Sequence, residues 1–288
     1  MNLQAESRIA FIGGGNMARA LIGGLLRQGL PAQQVCVGEP LEALREALAR
    51  ELDVATTADN EAAIRDAALV VLAVKPQVAA GVLQGLRSAL LAQRPVLLSI
   101  VAGLRIAQLS SACAGALSIV RAMPNRPALV GAGITGLYAP PDVSATQRSI
   151  AERVATAAGR TVWLRTEAEL DVVTALSGSG PAYFFLLAEL LAQAGESLGL
   201  TRETAQLLAS ETLSGAGALA RDASCSLAQQ RAAVTSKGGT TEAALQVFQA
   251  GGFEPLIAAA VAAAAARSTE LAEALAADLE PRFEASRA

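Results

Sequence analysis

Ile9-Ala10-Phe11-Ile12-Gly13-Gly14-Gly15-Asn16-Met17-Ala18 carries an apolar run into a glycine triplet and then into a helical pattern. The run before Gly13 shows no polar alternation, which predicts a strand covered on both faces. G-x-G-x-x-A directly after such a strand is the spacing of a dinucleotide fingerprint. Gly13 permits the tight turn, Gly15 lets backbone approach a pyrophosphate, and Ala18 lets the helix lie close to the strand. The loop residues Gly13, Gly14, Gly15, Asn16 and Met17 therefore present backbone N–H groups and a helix N-terminus to an anion.

Outward from this loop, β-branched and apolar runs recur at 35–39, 69–74, 96–101, 117–122, 133–139 and 161–164. Between them, helical periods occupy 16–28, 41–51, 78–91 and 144–157. This alternation predicts an α/β fold with a parallel, Rossmann-like sheet. Beyond Trp163 the strand signal stops, and alanine-rich helical patterns follow at 167–176, 182–198, 201–220, 226–234, 242–250 and 254–279. We expect a dinucleotide-binding, Rossmann-like domain over 1–165 and an all-α C-terminal domain over 166–288 for substrate binding and dimerisation. Ile257, Val261, Ala264, Ser268, Leu271, Leu275 and Leu279 form a seam on the last helix, flanked by alanines, that suits a homodimer.

Composition narrows the chemistry. With 52% hydrophobic and 17% charged residues, the chain has ample core material and too little charge for disorder. The absence of histidine excludes imidazole bases, Ser-His-Asp triads and histidine-bearing metal sites, and no metal site is expected. A net charge of −3 without a basic cluster argues against nucleic acid and polybasic membrane contact, leaving a small molecule as partner. Cys36, Cys113 and Cys225 are widely spaced, as expected of reduced, buried thiols rather than a disulfide framework. The longest apolar run, 256–266, is shorter than a bilayer span, and the polar N-terminus lacks a secretory pattern, so a cytoplasmic protein is expected.

Further candidates fall at predicted strand ends. Glu39, between Gly38 and Pro40, stands where a ribose-reading acid is expected; it would accept from the 2′-hydroxyl of NAD and repel the 2′-phosphate of NADP, with Arg45 the nearest basic residue in sequence. A solvated turn glutamate is the other reading of Glu39. Val74, Lys75 and Pro76 end a central strand at the edge where open α/β sheets bind ligands. The same holds for 99–103 and for Arg121-Ala122-Met123-Pro124-Asn125-Arg126-Pro127, which the prolines stiffen. In the helical half, Ser177-Gly178-Ser179-Gly180-Pro181-Ala182-Tyr183 and Ser236-Lys237-Gly238-Gly239-Thr240-Thr241-Glu242 each lead into a helix. They offer hydroxyls and N–H donors to a substrate, or, on the plainer alternative, simply cap their helices.

Together these segments resemble the pyrroline-5-carboxylate reductase family over nearly the whole chain. The likeness rests on Gly-Gly-Gly-Asn-Met at 13–17, Val-Lys-Pro at 74–76, Ser-Ile-Val-Ala-Gly at 99–103, Arg-Ala-Met-Pro-Asn-Arg-Pro at 121–127, Ser-Gly-Ser-Gly-Pro-Ala at 177–182 and Val-Thr-Ser-Lys-Gly-Gly-Thr-Thr at 234–241. The resemblance implies reduction of 1-pyrroline-5-carboxylate to proline by NADPH or NADH. It implies a pyrophosphate at 13–17, a nicotinamide ribose bordered by Val74, Lys75, Pro76 and Ala102, and Asn60 on the adenosine side. It places the substrate carboxylate at Ser236, Gly238, Gly239 and Thr240, and the Thr241 hydroxyl at the ring nitrogen; the loop hydroxyl of Ser179 is a further substrate candidate. It also implies a homodimer that shares its sites across the interface and assembles into a ring of dimers. Lys237 stands where many members have proline, and Glu39 where NADPH-preferring members carry a small, hydroxyl or basic residue. The competing class is another imine reductase or a β-hydroxyacid dehydrogenase of similar layout. The latter needs a lysine early in the second domain, and the only lysines here are Lys75 and Lys237.

Overall fold

The computed structural model describes residues 8–113, 115 and 117–285. The described chain forms two compact units, Met1–Gly178 with Ala264–Ala288, and Ser179–Ala263. This division by contact runs elsewhere than the 165/166 boundary expected from sequence; residues 1–7, 114, 116 and 286–288 of the expected domains lie outside the described residues.

The first unit begins β1 (Arg8–Ile12), α1 (Asn16–Arg27), β2 (Val35–Gly38), α2 (Glu42–Leu52), β3 (Ala55–Thr57), α3 (Asn60–Ile64) and β4 (Ala67–Leu72). It continues with α4 (Pro76–Gln93), β5 (Val96–Ser99), α5 (Ile106–Ala112), β6 (Ile119–Met123), β7 (Gly133–Tyr138), α6 (Ala145–Thr156) and β8 (Gly159–Trp163). A short helix, α7 (Glu169–Val173), runs directly into a π-helical turn, Thr174–Gly178.

The strands make one sheet in the order β3-β2-β1-β4-β5-β6-β7-β8. Alternate residues of β1 serve opposite layers. Ile9 and Phe11 join the core on one face of the sheet, Ala10 and Ile12 that on the other, and β4 divides in the same way. The apolar runs of the sequence are continuous because both faces are covered.

The strand order reverses between β1 and β4, which pair in parallel. Their carboxyl ends flank the crevice that this class of sheet offers to ligands. One strand departs from the all-parallel expectation: β7 is antiparallel to β6. The connection between them contains only the 3-10 turn Arg126–Val130, too short for the crossover that a parallel neighbour requires.

The second unit holds α8 (Gly180–Ser197), α9 (Arg202–Leu219), α10 (Leu227–Ala233), α11 (Thr240–Ala250) and the first part of α12 (Phe253–Ala285). The last part of α12 belongs to the first unit, where Leu279 is buried in a core cluster and Asp171 accepts from Ser268 Oγ at 2.7 Å.

Candidate functional site

In the first unit the glycine loop has the form that the fingerprint requires. Gly13 lies at φ +99°, and a Cβ there would stand 2.7 Å from the Ala73 carbonyl oxygen, so only glycine fits between β1 and the end of β4. A Cβ at Gly14 would meet Leu48 Cδ1 at 2.5 Å, whereas one at Gly15 would meet nothing within 4 Å. Gly15 caps α1 without any side-chain acceptor, and the first turn carries no acid. The opening N–H groups of α1 are thus uncovered by side chains, with the helix dipole behind them. A pyrophosphate matches this donor set, so the residues present fit a dinucleotide.

Glu39 reaches back to that loop. Its Oε2 accepts from the Gly14 N–H at 2.9 Å and its Oε1 from the Leu41 N–H at 3.0 Å, and the residue is buried. It is therefore no solvated turn glutamate. Arg45 Nη1 donates to the backbone carbonyls of Glu39 and Pro40 at 2.9 and 2.8 Å. Asn60 opens α3, and its buried Oδ1, packed against Gly38, has no hydrogen-bond partner.

Val74, Lys75 and Pro76 follow β4 at the other lip of the crevice; Pro76 starts α4, and Lys75, its N-cap, is exposed. Ala102 is exposed beyond β5, next to Gly103 at φ +76°.

Buried polar groups of the Arg121–Pro127 segment tie these strand ends to the chain entering the π-helical turn. The Arg121 guanidinium meets Glu167 at 2.7 Å, and the same carboxylate oxygen accepts the Ile106 N–H at 2.7 Å. Asn125 accepts from the Ile134 N–H at 2.9 Å and donates to the Ser177 carbonyl at 3.1 Å. Sequence reading singled out the segment but not these partners. The available signal was a polar residue held between prolines.

In the second unit, Ser179 precedes α8 and Pro181 lies in its first turn, but the Ser179 side chain makes no capping hydrogen bond. Nor does any side chain cap α11, whose N-cap is Gly239. The plain capping role therefore does not account for either segment's hydroxyls.

The loop before α11 is internally braced. Gly238, at φ +73°, donates its N–H to Glu242 Oε2 at 2.7 Å, and the Gly239 N–H donates to the Ser236 carbonyl at 3.0 Å. A Cβ at Gly239 would stand 2.5 Å from Ser236 Oγ. With those two donors engaged, the N–H groups facing out of the helix are those of its first turn, led by Thr240 and Thr241. Sequence reading missed Glu242 as the brace; its position four residues after Gly238 was the signal.

The two buried thiols, Cys36 and Cys113, are poor nucleophiles. Burial pushes the Cys36 thiol up and the Cys113 thiol up to about 12, against weaker opposing effects of arginines. Cys225 is exposed, contrary to the expectation of three buried thiols, because it lies in the loop between α9 and α10.

A glycine loop at a sheet switch point, followed by a separate helical region with its own anion-ready helix start, defines a two-part, dinucleotide-dependent oxidoreductase. The family model described as NADP oxidoreductase coenzyme F420-dependent matches residues 8–103, and that described as pyrroline-5-carboxylate reductase dimerisation matches residues 167–271. The chain is 48% identical to the pyrroline-5-carboxylate reductase of Pseudomonas aeruginosa over 93% of its length and 98% of the relative's. A solved pyrroline-5-carboxylate reductase of Coxiella burnetii matches with a TM-score of 0.89 and 40% identity, covering 92% of this chain and 98% of that one. The Plasmodium falciparum pyrroline carboxylate reductase, solved with NADP bound, matches with a TM-score of 0.79 and 28% identity over 93% of this chain and 99% of that one. The chain belongs to the pyrroline-5-carboxylate reductase family, as the motif resemblance implied.

Proposed function

We propose that this protein reduces 1-pyrroline-5-carboxylate to proline with NADH or NADPH, acting as a homodimer in the cytoplasm. The observation that carries the proposal is the pairing, in one member of this family, of a glycine loop whose helix α1 opens without a side-chain cap with the braced Ser236–Glu242 loop at the start of α11.

When bound, the reduced nicotinamide supplies the hydride. The chain's own residues hold and orient. Gly15, Asn16 and Met17 receive the pyrophosphate on backbone N–H groups, beside Gly13 and Gly14, whose own N–H groups are held by Gly38 and Glu39 and which shape the loop, and Val74, Lys75, Pro76 and Ala102 border the nicotinamide ribose. Ser179, Ser236, Gly238, Gly239 and Thr240 form the carboxylate side of the substrate site, with the first-turn N–H groups and dipole of α11 favouring an anion. Thr241 opens the helix half-buried, and its hydroxyl is the group that orients or relays the proton at the ring nitrogen. An imine nitrogen is basic enough that hydroxyl-level assistance suffices, which suits a chain without histidine.

The dimer proposal rests on the helical unit's surface. Phe184 and Phe185 on α8 are 60% and 59% exposed, and a groove of about 620 Å³ lies between α8 and α9. An 18-residue window within Glu169–Ser197 has a mean hydropathy of 1.3, enough by length and composition for a bilayer. The dimerisation match over 167–271 supports a protein partner for this face instead. That match also supports placing the functional boundary at 165/166. A ring of dimers is the further assembly that the motif resemblance implies. All three cysteines are unpaired, which suits a reducing compartment.

The test is oxidation of NADH and NADPH by purified protein with 1-pyrroline-5-carboxylate. Thr241→Ala is expected to lower turnover by about ten- to a thousandfold while the protein remains folded. Full activity in that variant removes Thr241 from the proton step, and no activity in the wild type removes the substrate.

A further inference from the structure

The Glu39 carboxylate is engaged at both oxygens. Gly14 lies in the phosphate loop and Leu41 at the N-cap of α2, so one side chain ties two ligand-facing loops together. The backbone beneath it is also fixed: the Glu39 N–H donates to Thr57 O at 2.9 Å, and the Gly13 N–H donates to Gly38 O at 2.8 Å. Rotating the carboxylate away would break two hydrogen bonds and strand a buried charge.

The carboxylate stands at the end of β2, the position that faces the adenosine ribose in this class of sheet. A 2′-hydroxyl can donate to it. A 2′-phosphate cannot, and brings like charge beside an anion that is unable to turn outward. Arg45 does not reverse this, because its Nη1 is directed onto the carbonyls of Glu39 and Pro40. The buried Asn60 Oδ1 against Gly38 adds another acceptor on this side of β2.

We infer that Glu39 is a specificity-determining residue with two coupled tasks: it selects the 2′-hydroxyl dinucleotide over the 2′-phosphorylated one, and it braces the glycine loop through Gly14. The inference rests on the dinucleotide-binding part of the proposed function. It goes beyond that proposal, which leaves NADH and NADPH equivalent.

The coupling makes the two tasks separable by substitution. Glu39→Asp keeps the charge but is too short to reach both N–H donors. Glu39→Gln keeps the length, loses the charge and sets an amide NH2 against one of those donors.

The experiment is calorimetric titration of the full-length protein with NAD+ and with NADP+, without substrate, after thermal unfolding has shown each variant to be folded. Wild type is expected to bind NAD+ about tenfold or more tightly than NADP+. Glu39→Asp is expected to weaken both severalfold while keeping the ratio, and Glu39→Gln to collapse the ratio towards one. NADP+ binding as tight as NAD+ in the wild type overturns the selection role. Unchanged affinities in Glu39→Asp overturn the brace, and binding of neither dinucleotide overturns both. Selective NAD+ binding without reduction of 1-pyrroline-5-carboxylate would uphold Glu39 and remove the substrate proposal. Reduction driven preferentially by NADPH, with NADP+ bound more tightly, would do the reverse.

Discussion

The sheet-bearing unit and the helical unit solve the burial problem differently. In the first, Ile9, Phe11, Leu48, Leu69, Val71 and Leu98 are fully buried among large apolar neighbours on one face of the sheet, and Ile12, Leu72, Leu83 and Leu97 on the other. In the second, the buried cluster consists of Ala192, Ala205 and Ala209 with Ala188 packed beside it, while phenylalanines and leucines of α8 and α9 face outward. A helix pair with an alanine interior and an apolar exterior buries little of its own surface. It needs a second surface to cover the rest. One unit buries its large apolar side chains in its own core, and the other leaves them for a further surface to cover.

The largest expected effect tests that contrast on the helical side. Phe185→Glu places a charge on the exposed face of α8 and is expected to convert the dimer to a 29.2 kDa species in sedimentation. A dimer that survives the change would mean that α8 is not the covered face.

On the sheet side, Leu69→Ala removes a side chain with no exposure from the middle of β4. It is expected to lower unfolding free energy by about 2–5 kcal/mol while leaving the dimer's sedimentation unchanged. A comparable loss of assembly would erase the distinction between the units.

Asn125→Asp keeps the acceptor for Ile134 but removes the donor to the Ser177 carbonyl. A loss of about 1–3 kcal/mol in denaturant unfolding is expected if polar ties as well as packing hold the π-helical turn. No change would assign that turn to packing alone.

The last effect emerges only at alkaline pH. The Cys113 thiol is held up to about 12 by burial from an ordinary value of 9.0, so the unfolded chain loses its proton first as pH rises. The contribution to stability is intact below about pH 9 and is lost progressively towards the folded value. Cys113→Ala is expected to flatten the alkaline limb of the stability profile, and an identical limb would place the loss elsewhere.

Much of the molecule was legible in the linear order of residues. The Gly13–Ala18 spacing, the apolar runs of the central strands and the shift to alanine-rich helices beyond Trp163 each report on local backbone geometry and burial periodicity, which neighbours in sequence dictate. The family motifs lie at strand ends and helix starts for the same reason. The antiparallel turn of β7, the π-helical geometry of Thr174–Gly178 and the choice of partner for each buried polar group were not legible. Glu39 meets Gly14 from 25 residues away and Asn125 meets Ser177 from 52. Such contacts depend on where the sheet brings distant loops together, and no periodicity encodes that. Whether Glu39 was a solvated turn residue or a fixed anion between two ligand loops was settled by the folded chain, because only packing could remove water from its carboxylate and supply two backbone donors in its place.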